Sequence, residues 1–182
     1  MIANVISNPN RDRNYKKELA GIEYIVWPAI LEDKPWTGVS KAHKQIVSWA
    51  KYTNQSEVLI MEDDIRFTDP LSFQYFLSKK PETFNIYFGG VYRGTIKDGL
   101  VTHFSGMHCY IIQSHFYDTF LSADESKDID NWLSEQPFDY NICYPMAAIQ
   151  YNGWSDVNRR ESNYDDLLIG KELFSSQEIL IF

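Results

Sequence analysis

Three consecutive carboxylates, Glu62-Asp63-Asp64, follow directly on the apolar run Val58-Leu59-Ile60-Met61. A run this apolar reads as a buried strand, and charge is costly to bury unless it is paired or bound to a cation. The strand is therefore expected to emerge at a rim where a cation or a charged ligand meets it. Side chains alternate along extended chain, which puts Glu62 and Asp64 on one side and Asp63 on the other. Two hard oxygen ligands on one side suit Mg²⁺ or Mn²⁺, which take one or two carboxylates and complete their shell with water and substrate phosphates. An acidic strand end that caps the next turn or pairs with Lys and Arg fits the same residues.

The elements that would carry this triplet read as alternating strands and helices. Ile2–Ser7 and Tyr24–Trp27 have strand character, and Asp12–Ala20 between them reads as a crossover helix closed by Gly21. Val39, Ala42, Ile46, Trp49 and Ala50 recur at helical spacing, so a second helix is expected over Val39–Tyr52, before the strand Val58–Met61. Asp69-Pro70 offers an N-cap and an N1 proline for a helix through Leu77. Strands are expected at Asn85–Phe88, which Gly89-Gly90 ends, and at His108–Gln113, and helices at 114–121 and 130–135. Met146–Gln150 is one more short apolar run, and residues 160–182 read as a peripheral C-terminal tail. The pattern is α/β, with ligands expected at the carboxyl ends of its strands.

Composition bounds the function. The 182 residues suit one domain, and 44% apolar content fills a proper core. A net charge of −8, with Lys and Arg scattered, argues against nucleic acid as a partner, because non-specific affinity for it rests on clustered basic side chains. A local basic pocket stays compatible with this. Cys109 and Cys143 lie in apolar surroundings without C-x-x-C spacing, so they read as reduced buried thiols in a reducing, cytoplasmic setting. No apolar run approaches the ~20 residues that span a bilayer, and neither a targeting segment nor a transmembrane segment is expected.

Several separated segments, taken in order, resemble glycosyltransferase family 25, the lipopolysaccharide-biosynthesis and collagen-galactosyltransferase relatives. Asn10-Arg11-Asp12-Arg13 through Leu19-Ala20-Gly21-Ile22 resembles the start of that family, and Gly38 to His43 resembles its Gly-x-x-x-Ser-His helix entry. Met61-Glu62-Asp63-Asp64-Ile65 is similar to its Leu-Glu-Asp-Asp-Val. Gly106-Met107-His108-Cys109-Tyr110-Ile111-Ile112 resembles Gly-Thr-His-Ala-Tyr-Ile-Ile, and Ile129-Asp130-Asn131-Trp132-Leu133 an Asp-x-x-Leu segment. Ala148-Ile149-Gln150 with Ser155-Asp156-Val157 resembles its closing Gln and Ser-Asp-Ile. The departures are Lys41-Ala42, where the family has a small residue and Ser beside the His, Met107 in place of Thr, and a shorter chain.

The resemblance implies a single Rossmann-like GT-A domain with a central, mostly parallel sheet flanked by helices. It implies a nucleotide-sugar donor, with UDP-sugar the expectation, a hexose moved to a hydroxyl of a glycan or other acceptor, and Mn²⁺ or Mg²⁺ held by Glu62 and Asp64. Asp63 would orient ribose or sugar hydroxyls, and Arg11 and Arg13 would meet the nucleotide, where Arg pairs bidentately with phosphate. Asp130, with Asp128 as its close rival, is the candidate general base or sugar-binding carboxylate; capping of the short helix is the other reading of both. His43, His108 and Gln150 fall at substrate-binding positions of the pattern, and a hydrogen-bonded structural histidine is the commoner fate of a residue like His43. Tyr92, Trp36 and Trp154 are loop aromatics that could stack on a sugar or a base, or simply pack. Two other functions use the same residues: a nucleotide-sugar-binding module that has lost transfer, and a metal-dependent phosphoryl or nucleotidyl transferase. The second lacks a Gly-x-x-x-x-Gly-Lys-Ser/Thr loop.

Overall fold

A computed structural model describes residues 1–10, 15–155 and 157–177. The chain opens with β1 (Ala3–Ser7), α1 (Tyr15–Glu18) and β2 (Tyr24–Pro28), and β1 pairs with β2 in parallel. The described helix is shorter than the expected Asp12–Ala20, of which residues 12–14 lie outside the described residues. α2 (Pro35–Tyr52) begins four residues earlier than the apolar spacing suggests. Pro35 supplies the preset φ of a first helical turn. Gly38 lies inside the helix, where any side chain would collide with the Ile30 carbonyl oxygen, 2.1 Å from a Cβ.

β3 (Glu57–Glu62) returns beside β1, with Ile6 opposite Glu62, and a two-residue turn at Asp63-Asp64 leads into β4 (Ile65–Phe67). α3 (Ser72–Ser78) starts later than Asp69-Pro70 suggests. Asp69 uses Oδ1 to accept from the Leu71 N–H at 2.9 Å, a local turn, and Oδ2 to hold Ser176. β5 (Ile86–Phe88) is followed by a hairpin the sequence reading passed over, β6 (Arg93–Lys97) and β7 (Leu100–Ser105). Its tip is Asp98-Gly99, both at positive φ, which is the Asp-Gly signature of a tight hairpin.

β8 (Cys109–Gln113), a 3₁₀ turn at Ser114–Phe116, α4 (Tyr117–Leu121) and α5 (Ile129–Ser134) come next. The chain then forms β9 (Asn141–Ile142), β10 (Ala148–Gln150), and the small hairpin β11 (Gly153–Ser155) and β12 (Arg160–Ser162). Among the described residues beyond 160, Tyr164, Leu168 and Phe174 are buried. Met146 bridges to Leu173, and Phe174, 6% exposed, stacks on Tyr75 with ring centroids 3.8 Å apart.

The central sheet has eight strands in the order β2-β1-β3-β8-β5-β9-β7-β6. Six run in one direction; β8 and β7, which pair antiparallel with their neighbours, run against them. The fold is thus the expected α/β sheet flanked by helices. Its core follows strand alternation: Val58 and Ile60 join the cluster under α2, α4 and α5, while Leu59 and Met61 join the cluster with Tyr15, Leu19 and Phe76 on the opposite face. Both faces of β3 are buried, so its apolar run is continuous. Truncating Ile60, fully buried, to Ala costs about 2–5 kcal/mol. Cys109 and Cys143 are buried free thiols, as read from their surroundings. No helix among the described residues is long and apolar enough to cross a membrane.

Candidate active site

The carboxyl ends of β1 and β3 open into one cleft of about 1170 Å³, lined among others by Asn8, Glu62, Asp64, Asp130, Gln150 and Trp154. Ligand pockets commonly run to ~300–1,000 Å³, so this one has room for an extended ligand or two adjacent ones.

The acidic triplet divides as strand alternation demands, although the strand has ended by Asp63. Asp63, 8% exposed, turns back to β1, and its Oδ2 accepts from Ser7 Oγ and from the Asn8 N–H, both at 2.9 Å. It fixes the end of β1. Glu62 and Asp64 turn together to the other side, where the Gln150 side-chain amide lies between them. Gln150 Nε2 donates to Glu62 Oε2 at 3.2 Å and faces both Asp64 oxygens at 3.2 and 3.3 Å.

Gln150 reaches this place because β10 runs antiparallel to β4 with Gln150 opposite Ile65, and because the Tyr151 N–H donates to the Asp64 carbonyl at 2.8 Å. β10 in turn crosses close over the end of β5. A Cβ on Gly90 would stand 2.0 Å from the Ala148 carbonyl oxygen, so only glycine admits the crossing.

Two histidines support the same floor. His43, 1% exposed, joins Nδ1 to the Tyr110 hydroxyl at 2.8 Å and Nε2 to Glu62 Oε1 at 3.2 Å. Burial pushes the Tyr110 phenol far above its ordinary value, so it keeps its proton. Its hydroxyl has no other hydrogen-bond partner among the described residues, so it donates to Nδ1 and His43 donates from Nε2 to Glu62. His108 donates from Nε2 to the Ala148 carbonyl at 3.1 Å; burial lowers its pKa, and the neutral ring's Nδ1 has no hydrogen-bond partner among the described residues. Its own carbonyl accepts from the Glu62 N–H at 2.9 Å, which ties the two ends together.

The far wall carries two further carboxylates. Asp130 Oδ2 accepts from the Gly106 N–H at 2.9 Å and Oδ1 from the Asn131 N–H at 2.7 Å. Burial raises its pKa, those two N–H groups lower it, and Asp128 and Glu62 raise it further. Asp128 occupies the N-cap position of α5 without capping it through its side chain; its Oδ2 accepts from Asn131 Nδ2 at 3.3 Å, and burial raises its pKa too. Asp128 is therefore not a side-chain cap of α5, whereas Asp130 meets one first-turn N–H of that helix through Oδ1.

Gly106 holds φ at +97°, and a Cβ there would stand 2.4 Å from the Tyr92 ring. Tyr92 packs on that glycine and lies 5.3 Å from Tyr164, so it is wall rather than free platform. Trp154, 46% exposed, does face the cleft. Trp36 sits in the first turn of α2, where its indole Nε1 is buried and has no hydrogen-bond partner among the described residues.

Glu62, Asp63, Asp64, His43, Gln150, Asp128 and Asp130 thus all line one cleft, with His108 beneath it. Arg11 and Arg13 lie outside the described residues. Sequence reasoning held Gly106 and Tyr110 only as parts of a motif, without a role, and passed over Arg93, Arg160 and Tyr164, which line the cleft. The aromatic after the Gly-x-His pattern points to Tyr110, but the rest converge only through the sheet. Among the described residues no group of three or more His, Cys, Asp or Glu side chains is arranged to hold a metal ion. The convergent oxygen donors are two carboxylates, next to an amide whose own Oε1 is buried with no hydrogen-bond partner among the described residues. That set fits a hard divalent cation that draws its remaining ligands from a substrate and water.

No protein-family model matches this chain, and no curated protein does. Solved structures are similar to it. A197 from STIV matches over 88% of this chain and 91% of its own, with 16% identity and a TM-score of 0.57. HddC from Yersinia pseudotuberculosis, complexed with GMP-PN, matches over 82% and 92%, with 10% identity and a TM-score of 0.50. A glycosyltransferase involved in the glycosylation of the major capsid of PBCV-1 matches over 92% and 98%, with 10% identity and a TM-score of 0.49. The likeness to A197 and HddC is one of fold, and this chain shares with them a mixed α/β architecture built on one helix-flanked sheet.

Proposed function

We propose that this chain is a metal-dependent glycosyltransferase of GT-A type, related to glycosyltransferase family 25, that moves a hexose from a nucleotide sugar, expected to be a UDP-sugar, to a hydroxyl of a glycan or other acceptor. The observation that carries this reading is the convergence of Glu62 and Asp64 on one point of the cleft floor, with the buried, elevated Asp130 on the opposite wall. The HddC structure of similar fold is complexed with GMP-PN, which supports a nucleotide as a ligand of this fold.

Glu62 and Asp64 would hold Mn²⁺ or Mg²⁺, whose positive charge offsets the charge that builds on a departing diphosphate. His43 and Tyr110 orient Glu62 for that task. Asp63 fixes the β1 end, and Arg11 and Arg13, taken from the family resemblance, would pair with the nucleotide phosphates. Asp130 accepts the proton of the acceptor hydroxyl: its raised pKa makes it a stronger base than an exposed carboxylate, and the Gly106 N–H holds its orientation. Asp128 lies beside it as a second acceptor-side carboxylate. Trp154 lines the cleft where a sugar ring would lie.

A second reading, a nucleotide-sugar-binding module without turnover, uses the same floor, where the uncharged Gln150 amide faces both Glu62 and Asp64. One experiment separates the two. A thermal-shift screen of nucleoside diphosphates and nucleotide sugars with and without Mn²⁺ is expected to give a Mn²⁺-dependent rise with one nucleotide, worth ~2.7 kcal/mol at a hundredfold excess over its dissociation constant. Slow release of the nucleoside diphosphate from that donor supports transfer. Tight binding with no release supports the module. Release of inorganic phosphate, or no shift with any nucleotide, overturns the glycosyltransferase reading.

A further inference from the structure

We propose that Gln150 is a third protein ligand to the divalent cation, and that its side-chain amide turns over when the cation binds. The inference rests on the metal-dependent reading above and adds to it a ligand and a motion. Gln150 is 6% exposed, and its two amide atoms have unequal surroundings. Nε2 faces three carboxylate oxygens, one of Glu62 and two of Asp64, at 3.2, 3.2 and 3.3 Å, while Oε1 is buried without a hydrogen-bond partner among the described residues. An amide nitrogen has two hydrogens for those three acceptors, and all three distances exceed the usual 2.9–3.0 Å. The amide fills the point between the carboxylates without bonding tightly to any of them.

Nε2 rather than Oε1 faces the carboxylates because an amide oxygen turned toward two of them would be repelled by both. A divalent cation at the same point reverses the preference. Mg²⁺ and Mn²⁺ select oxygen, and an amide carbonyl is a suitable neutral ligand. The backbone of Gln150 does not have to move: it is fixed by the β10–β4 register and by the Tyr151 N–H on the Asp64 carbonyl. Only the terminal amide torsion changes, and that torsion is broad and nearly two-fold. Turning it brings Oε1 to the cation and completes a set of two carboxylates and one amide, leaving the remaining positions to substrate and water.

The test uses the whole chain and two readouts other than turnover. In ¹⁵N-labelled protein, the Gln150 Nε2–H₂ resonances, assigned by their loss in Q150L, are followed during a Mg²⁺ titration. They are expected to shift together and to exchange faster with solvent once they leave the carboxylates. In parallel, Mn²⁺ binding is measured calorimetrically on wild type, Q150L, Q150E and D64A. Q150L is expected to weaken Mn²⁺ at least tenfold, and Q150E to bind it at least as tightly as wild type while melting lower without it. Wild-type Mn²⁺ affinity in Q150L, or Gln150 resonances that stay still under saturating Mg²⁺ while D64A loses binding, overturns the ligand role and leaves the cation site standing. Failure of wild type to bind Mn²⁺ with or without UDP removes the underlying reading together with this one.

Discussion

The backbone N–H of Gly106 donates to Asp130 Oδ2 at 2.9 Å, and Gly106 does so from a φ of +97° with the Tyr92 ring against its α-carbon. A loop glycine therefore sets the orientation of the carboxylate proposed as the base. Gly106→Ala places a Cβ 2.4 Å from Tyr92 and strains the backbone, so a loss of about 1–3 kcal/mol is expected in urea unfolding. Donor binding should persist while acceptor-dependent turnover falls more than tenfold. An unchanged turnover would separate Gly106 from the base.

Asp130→Asn keeps an oxygen for the Gly106 N–H but no longer accepts a proton at working pH. Transfer is expected to fall about 10²–10⁴-fold, with Mn²⁺-dependent donor binding retained. In wild type, burial raises the Asp130 pKa, so the base is lost by protonation at a higher pH than for an exposed carboxylate. The acidic limb of kcat/KM should accordingly stand above the ordinary range and disappear in the variant. A profile that keeps the limb points instead to Asp128.

Asp63 and Asp64 are neighbours with opposite expected phenotypes. Asp63→Ala leaves Ser7 Oγ and the Asn8 N–H without their shared acceptor, which costs about 1–3 kcal/mol in stability. Asp64→Ala is expected to leave the melting temperature of the cation-free protein near that of wild type and to abolish the Mn²⁺-dependent shift with nucleotide. Thermal melting with and without Mn²⁺ and UDP reads both, and a Mn²⁺ response retained in Asp64→Ala contradicts the cation assignment.

His108 links stability to pH. An unfolded chain protonates it near pH 6.5, whereas burial lowers its pKa in the folded state, so the unfolded state binds the extra proton. Its contribution is complete above pH 6.5 and is lost as the pH falls through that value toward the folded pKa. Asp130 acts with the opposite sign, since a raised carboxyl pKa weakens the fold as pH rises through about 4, the ordinary carboxylate value. Comparing wild type with His108→Gln between pH 7.5 and 5 isolates the first effect, and the variant is expected to lose less stability over that window. Parallel curves would remove His108 as its source.

Local patterning in the chain determined what depends on neighbours in sequence. The alternation of Val58, Leu59, Ile60 and Met61 divides two cores, and Glu62 and Asp64 share a side because one residue separates them. Turn chemistry at Asp98-Gly99 was legible in the same way, though the hairpin it closes was not among the expected strands. The start of α2 was misplaced because Gly38 reads locally as a breaker, while its real constraint is the Ile30 carbonyl eight residues back. Tertiary structure alone decided the rest of the site. Gln150 reaches Asp64 across 86 positions, Tyr110 reaches His43 across 67, and Gly106 reaches Asp130 across 24. Such contacts follow from strand order, register and close crossings such as Gly90 under Ala148, and no period in the chain encodes them, because they form between segments whose proximity exists only after the sheet is assembled.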